Sequence, residues 1–128
     1  MIAKAKIPAR DAGDKDIKDS GINKGESKVE IETKINHDGE VNKAKPMPQQ
    51  NHIIATKTNK GEVHVFDYHK HPLKPADNVV KPELRLIGHT AEGYALSWNT
   101  MRPGYLLSGA SDNKVEAFNI DMYLGYQF

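Results

Sequence analysis

The sequence predicts an all-β fold built from repeated strand units, and three observations carry that reading. First, the chain repeats itself. Ile35 to Tyr68 lies on Ile87 to Ile120 without a gap, and His37 falls on His89, an offset of 89 − 37 = 52. Glu40 then falls on Glu92, Ala55 on Leu107, Val63 on Val115, Phe66 on Phe118 and Asp67 on Asn119. Second, each copy places a His near its start and an apolar strand ending in Phe-Asp or Phe-Asn late. Third, the apolar segments are short, and none carries an apolar stripe at helical spacing. A period near 50 residues with an early His and a late aromatic-Asp pair marks the blades of a β-propeller. The expected fold is therefore all-β, a partial propeller.

The elements follow in order. Ile2, Ala3 and Ala5, followed by Ile7 and Pro8, read as a short strand stopped by proline. The stretch from Arg10 to Ser27 is charged and polar, so burial cannot offset its ordering entropy, and it reads as a mobile loop. Lys28 to Ile35 alternates, with Val29, Ile31 and Thr33 on one face and Glu30, Glu32 and Lys34 on the other. Asn36 to Gly39 is a turn by composition. Val41 to Lys45 is a strand ending at Pro46, Ile53 to Thr58 is a β-branched strand, and Asn59-Lys60-Gly61 turns into a third strand, Val63 to Tyr68. A proline-rich loop follows, then a short outer strand, Leu84 to Ile87. The second copy gives strands at Tyr94 to Trp98, Tyr105 to Gly109 and Val115 to Ile120, with a turn at Ser111-Asp112-Asn113. The aromatic tail from Met122 to Phe128 is expected to add a fourth strand.

Composition narrows the function. The 128 residues suffice for one small domain, and 38% of them are hydrophobic. No apolar run approaches the roughly 18 residues of a spanning helix. Met1 to Ile7 alternates apolar and basic residues and has no apolar core, so it is not a secretory signal. The absence of cysteine excludes disulfides, thiolate metal sites and thiol nucleophiles. A formal net charge of +1 gives no global field for nucleic acid.

The segments INHDGEVNKAKPMPQ, IIATKT, VFDYHKHPLKP, PELRLIGHTAEGYALSWN and YLLSG, with MIAKAKIP at the start, carry a further signal. Together they resemble the WD-repeat histone-binding chaperones, the retinoblastoma-associated and MSI-type proteins of chromatin complexes. The resemblance implies about two to two and a half blades of a seven-bladed propeller. On that template 1–8 is a strand of an incomplete preceding blade, 9–27 the mobile charged loop, and 28–35 an outer strand of the preceding blade. Residues 36–87 form the first full WD-type blade and 88–128 a second, C-terminally truncated one. Such a piece is expected to leave apolar blade faces open, lined by residues such as Ile54, Leu106 and Val115.

The resemblance also implies a function: a non-catalytic, nuclear, histone-binding scaffold subunit of chromatin-assembly and chromatin-modifying complexes, without cofactor. Its partners would be a basic histone tail and other subunits, with no direct nucleic-acid or membrane contact. The alternative is a truncated propeller fragment without autonomous function. Glu40, Asn42, Glu92 and Tyr94 match the family's peptide-binding positions. Carboxylates there suit Arg and Lys side chains, while Asn and Tyr can fix a peptide backbone. A Glu at a strand start is also an ordinary solvated residue.

His37, His89, Asp112, Phe66 and Phe118 read as structural blade residues. In a typical WD blade a Trp donates to a Ser or Thr, which bonds the early His, which meets an Asp in the hairpin turn. Here Phe118 offers no donor, the Ser position reads Ala110, and the hydrogen-bond chain is expected to be broken. Lys43 and Lys45 stand where arginines are usual, and Pro46 removes a backbone donor. His69 and His71, with His64 nearby, lack a third ligand at metal spacing, so no metal is expected. Ser108 or Ser111 with Asp112 and His89 lacks a nucleophile elbow, so no catalytic triad is expected either. Trp98 and Tyr94 read as core and channel lining rather than a base-stacking platform.

Overall fold

The computed structural model describes residues 2–6 and 30–124. The loop expected at 9–27 lies outside the described residues. Among the described residues, nine strands form three antiparallel sheets. Strand β1 (Ile2–Lys6) pairs with β2 (Glu30–Ile35). A four-stranded sheet follows in the order β3 (Val41–Pro46), β4 (Ile53–Thr58), β5 (Val63–Asp67), β6 (Leu84–Leu86). A three-stranded sheet is built from β7 (Ala95–Trp98), β8 (Tyr105–Gly109) and β9 (Val115–Asn119).

The repeat is visible in the backbone. β4 and β8 start 105 − 53 = 52 residues apart, and β5 and β9 start 115 − 63 = 52 apart. Both hairpins close through residues that tolerate a left-handed backbone. Gly61 (φ 91) follows the first turn, and a side chain there would meet the Ala91 carbonyl oxygen at 2.6 Å. Asn113 (φ 63) serves the second turn, beside Asp112, whose Oδ1 accepts from the Lys114 N–H at 3.1 Å.

One core joins the two larger sheets. Ile53, Ala55, Val63 and Val65 cluster with Leu96, Trp98, Leu106 and Ile120. Apart from Ile120, which follows β9, these are odd-numbered positions of β4 and β5 and even-numbered positions of β7 and β8, so one face from each sheet closes the core. Trp98 also donates its indole N–H to the Lys45 carbonyl of β3 at 2.8 Å. The other face of the three-stranded sheet is exposed and apolar, with Leu107 50% and Val115 73% accessible. Of the residues expected on open faces, Val115 is there, Ile54 is partly covered, and Leu106 is instead buried in the shared core.

Several boundaries shift. Tyr68 opens a 3₁₀ turn, Tyr68–Lys70, capped by Asp67, whose side chain accepts from the His69 N–H. Tyr94, Ile87 and Ile120 fall just outside the strands expected to include them. The expected tail strand is a short helix, α1 (Asp121–Leu124), and residues 125–128 lie outside the description. Three apolar or aromatic residues after an Asp fix neither period, so local composition does not separate strand from helix there.

Candidate functional site

The four residues proposed to bind peptide sit where the chain enters β3 and β7. Gly39 (φ 70) turns the backbone immediately before Glu40, and the Glu40 carbonyl accepts from the Asn59 N–H at 3.2 Å. Two residues on, Asn42 reaches across to the second repeat. Its Nδ2 donates to the Gly93 carbonyl at 3.2 Å and makes a longer contact with Glu92 Oε2 at 3.5 Å. The Glu92 carbonyl accepts from the Ser111 N–H at 2.9 Å, which ties it to the β8–β9 turn. Tyr94 follows with its side chain exposed, beside an open groove of about 390 Å³ bordered by Ala110, Asn113 and Lys114.

The structure thus brings Asn42, Glu92 and Tyr94 together across the boundary between repeats, with Glu40 at the edge of β3. Glu40 and Glu92 are exposed, and among the described residues neither forms an ion pair. Asn42 contributes a neutral amide, so it orients Glu92 without neutralising it. The site is wet and acidic, and its close backbone packing is enforced. Gly93 admits no side chain, since a Cβ there would fall 2.5 Å from the Ala110 Cα.

The histidines occupy matching places. His37 Nε2 lies 2.8 Å from Thr56 Oγ1, and His89 Nε2 lies 3.1 Å from Ser108 Oγ. The offsets agree, since 108 − 56 = 52 and 89 − 37 = 52. His89 Nδ1 faces both Asp112 carboxylate oxygens at 3.2 Å. The hydroxyl is therefore supplied by Ser108 and not by the Ala110 position. A donor also arrives from an unexpected side: Lys57 of β4, fully buried, donates its Nζ to Ser108 Oγ at 2.6 Å. Lys57 supplies from the neighbouring sheet the bond that Phe118 cannot make. Phe66 is fully buried with its ring 5.7 Å from His37, and Phe118 packs against the core.

Ser108, His89 and Asp112 have the spacing of a nucleophilic triad, but Ser108 is 1% exposed and its oxygen is engaged by the Lys57 ammonium. That oxygen is closed to solvent, and the arrangement ties strands and turn together. Asp112 is the anchor. It accepts from the Thr90 N–H at 2.9 Å and the Lys114 N–H at 3.1 Å. These backbone bonds, with the His89 contact, hold its carboxyl below the ordinary value of 3.8. A depressed carboxylate stabilises the fold above its unfolded value, and that contribution is lost as pH falls through the folded one. Urea titrations across the acid range are expected to show a steeper loss of stability for wild type than for Asp112→Asn. Equal slopes would remove Asp112 from the acid response.

The remaining histidines separate. His64 Nε2 pairs with Glu62 at 2.8 Å, and His71 Nε2 pairs with Glu83 at 2.9 Å. His69 instead stacks on His52, with ring centroids 4.5 Å apart. The sequence singled out neither His52 nor Lys57. No protein-family model matches this chain.

Proposed function

We propose that the chain is a non-catalytic peptide-recognition scaffold of the WD-repeat histone-binding type, its sheets serving as blades of a propeller. The observation that carries this is the contact of Asn42 with Glu92 and Gly93 across the repeat boundary. It gathers, at one end of adjacent sheets, the residues that the resemblance matches to peptide-binding positions. Two exposed carboxylates, an exposed Tyr94 and a groove beside it suit a basic, extended segment such as an unmodified histone tail. The resemblance further places such a scaffold in the nucleus, among subunits of chromatin-assembly and chromatin-modifying complexes.

The test is titration of a basic histone-tail peptide at two salt concentrations. Exposed carboxylates make screened, solvated pairs worth about 0.2–1 kcal/mol each. Glu40→Gln with Glu92→Gln is therefore expected to weaken binding by roughly tenfold at low salt and to flatten its salt dependence. Asn42→Ala is expected to weaken binding less and to keep the salt slope, because it frees Glu92 without removing its charge. Wild-type affinity in the double carboxylate variant would sink the assignment.

A further inference from the structure

We infer that His52, Asp67 and His69 form a binding site for a divalent transition-metal ion of the zinc type, at the end of the four-stranded sheet opposite Asn42. The strand register builds it. Ile53 pairs with Asp67, and the Tyr68 N–H donates to the His52 carbonyl at 3.1 Å, extending the β4–β5 ladder by one residue. The chain then tightens into the 3₁₀ turn, which brings His69 back over the end of the hairpin. Asp67 fixes that turn by accepting the His69 N–H at 3.0 Å. One potential ligand atom from each of the three residues lies within 4.8 Å of the others.

The chemistry of the set is selective. Imidazole nitrogens with a carboxylate oxygen suit zinc, nickel and copper rather than calcium or magnesium. Three protein ligands with a solvent-facing side describe an open zinc site, in which water takes the fourth position. Zinc bonds of about 2.0–2.2 Å put tetrahedral ligand atoms roughly 3.4 Å apart, so the set must contract by about 1.4 Å at most. The parts that would move are able to. His69 is exposed and His52 half-buried, while Asp67 is 4% exposed and its backbone N–H is held by Glu83 Oε2 at 2.7 Å. The two rings lie nearly parallel, 11° between planes, and rotation about χ2 turns their nitrogens toward a shared centre. His71 is outside the set, because Glu83 already engages its Nε2.

The experiment is calorimetric titration of zinc(II) into the metal-stripped full chain, with cobalt(II) absorption reporting geometry. One equivalent of zinc is expected to bind, with cobalt giving the intense visible bands of a tetrahedral site. His52→Gln and His69→Gln should each weaken zinc at least tenfold, and His71→Gln should change it less than twofold. Asp67→Asn should weaken it as well. Since that buried cap could destabilise the fold on its own, the two histidine variants decide the matter. No saturable zinc binding by the wild type would overturn the site, as would undiminished binding by the His52→Gln/His69→Gln double variant.

Discussion

Trp98→Ala is expected to lower unfolding free energy by about 3–5 kcal/mol, the range for emptying a large aromatic from a core. Trp98 is 7% exposed and belongs to the cluster that joins both larger sheets. Its loss leaves a cavity between two layers whose strands are pinned by their own hairpins, so collapse around the gap is limited. The Lys45 carbonyl also loses its indole donor. That second loss is the smaller one. Lys45 is exposed, and water can replace the indole, which leaves roughly 1 kcal/mol for the hydrogen bond. Trp98→Phe separates the two effects, because it keeps most of the volume and loses the bond, and should cost about 1–2 kcal/mol. Urea denaturation followed by far-ultraviolet circular dichroism reads both variants. A cost below 1 kcal/mol for Trp98→Ala would mean that the sheets do not share a core.

What the sequence revealed and what it hid follow from the range of the interactions involved. The strands β4, β5, β8 and β9 are legible because short apolar runs between turn residues are local signals, and the 52-residue offset doubles each one. The hydroxyl partner of His89 lies two residues before the position where the sequence predicts it. Ser108 and position 110 lie on the same side of an extended strand, so alternation cannot choose between them. Only the register does, pairing Ser108 with Glu116 and setting its oxygen against Nε2.

Contacts between sheets were the least legible. Lys57 sits in IIATKT, where a lysine reads as the polar member of an alternating pair, yet it is fully buried against the next sheet. His52 and His69 are 69 − 52 = 17 residues apart, and no local pattern joins them. The ladder sets His52 opposite Tyr68, one residue beyond the Ile53–Asp67 pair, and the 3₁₀ turn brings His69 back. At the acidic end, the equivalence of Glu40 with Glu92 was visible in the repeat, but the bond from Asn42 to Gly93 was not. A backbone carbonyl in an adjacent unit leaves no mark on composition.

Lys57 gives the second large effect, and its sign depends on the replacement. The ammonium is fully buried, with Ser108 Oγ at 2.6 Å and the Gly61 carbonyl at 3.2 Å as partners. Burial lowers its pKa from 10.5, and the Asp112 charge opposes that shift. Lys57→Ala removes the donor and leaves a cavity between the sheets, so it should cost about 2–4 kcal/mol at neutral pH. Lys57→Met keeps the stem volume and discards the desolvated charge, so the same site should lose no more than about 1 kcal/mol. The pH dependence follows from the lowered value. Below the folded pKa, native and unfolded chains both carry the proton, and the full cost of burying charge is present. As pH rises through the folded value toward 10.5, the native state sheds the proton first, so wild-type stability gains on Lys57→Met. Chemical denaturation of the wild type and both variants at neutral and alkaline pH measures this. Equal losses for alanine and methionine, with no alkaline gain over Lys57→Met, would show that Lys57 is a solvated surface lysine in solution.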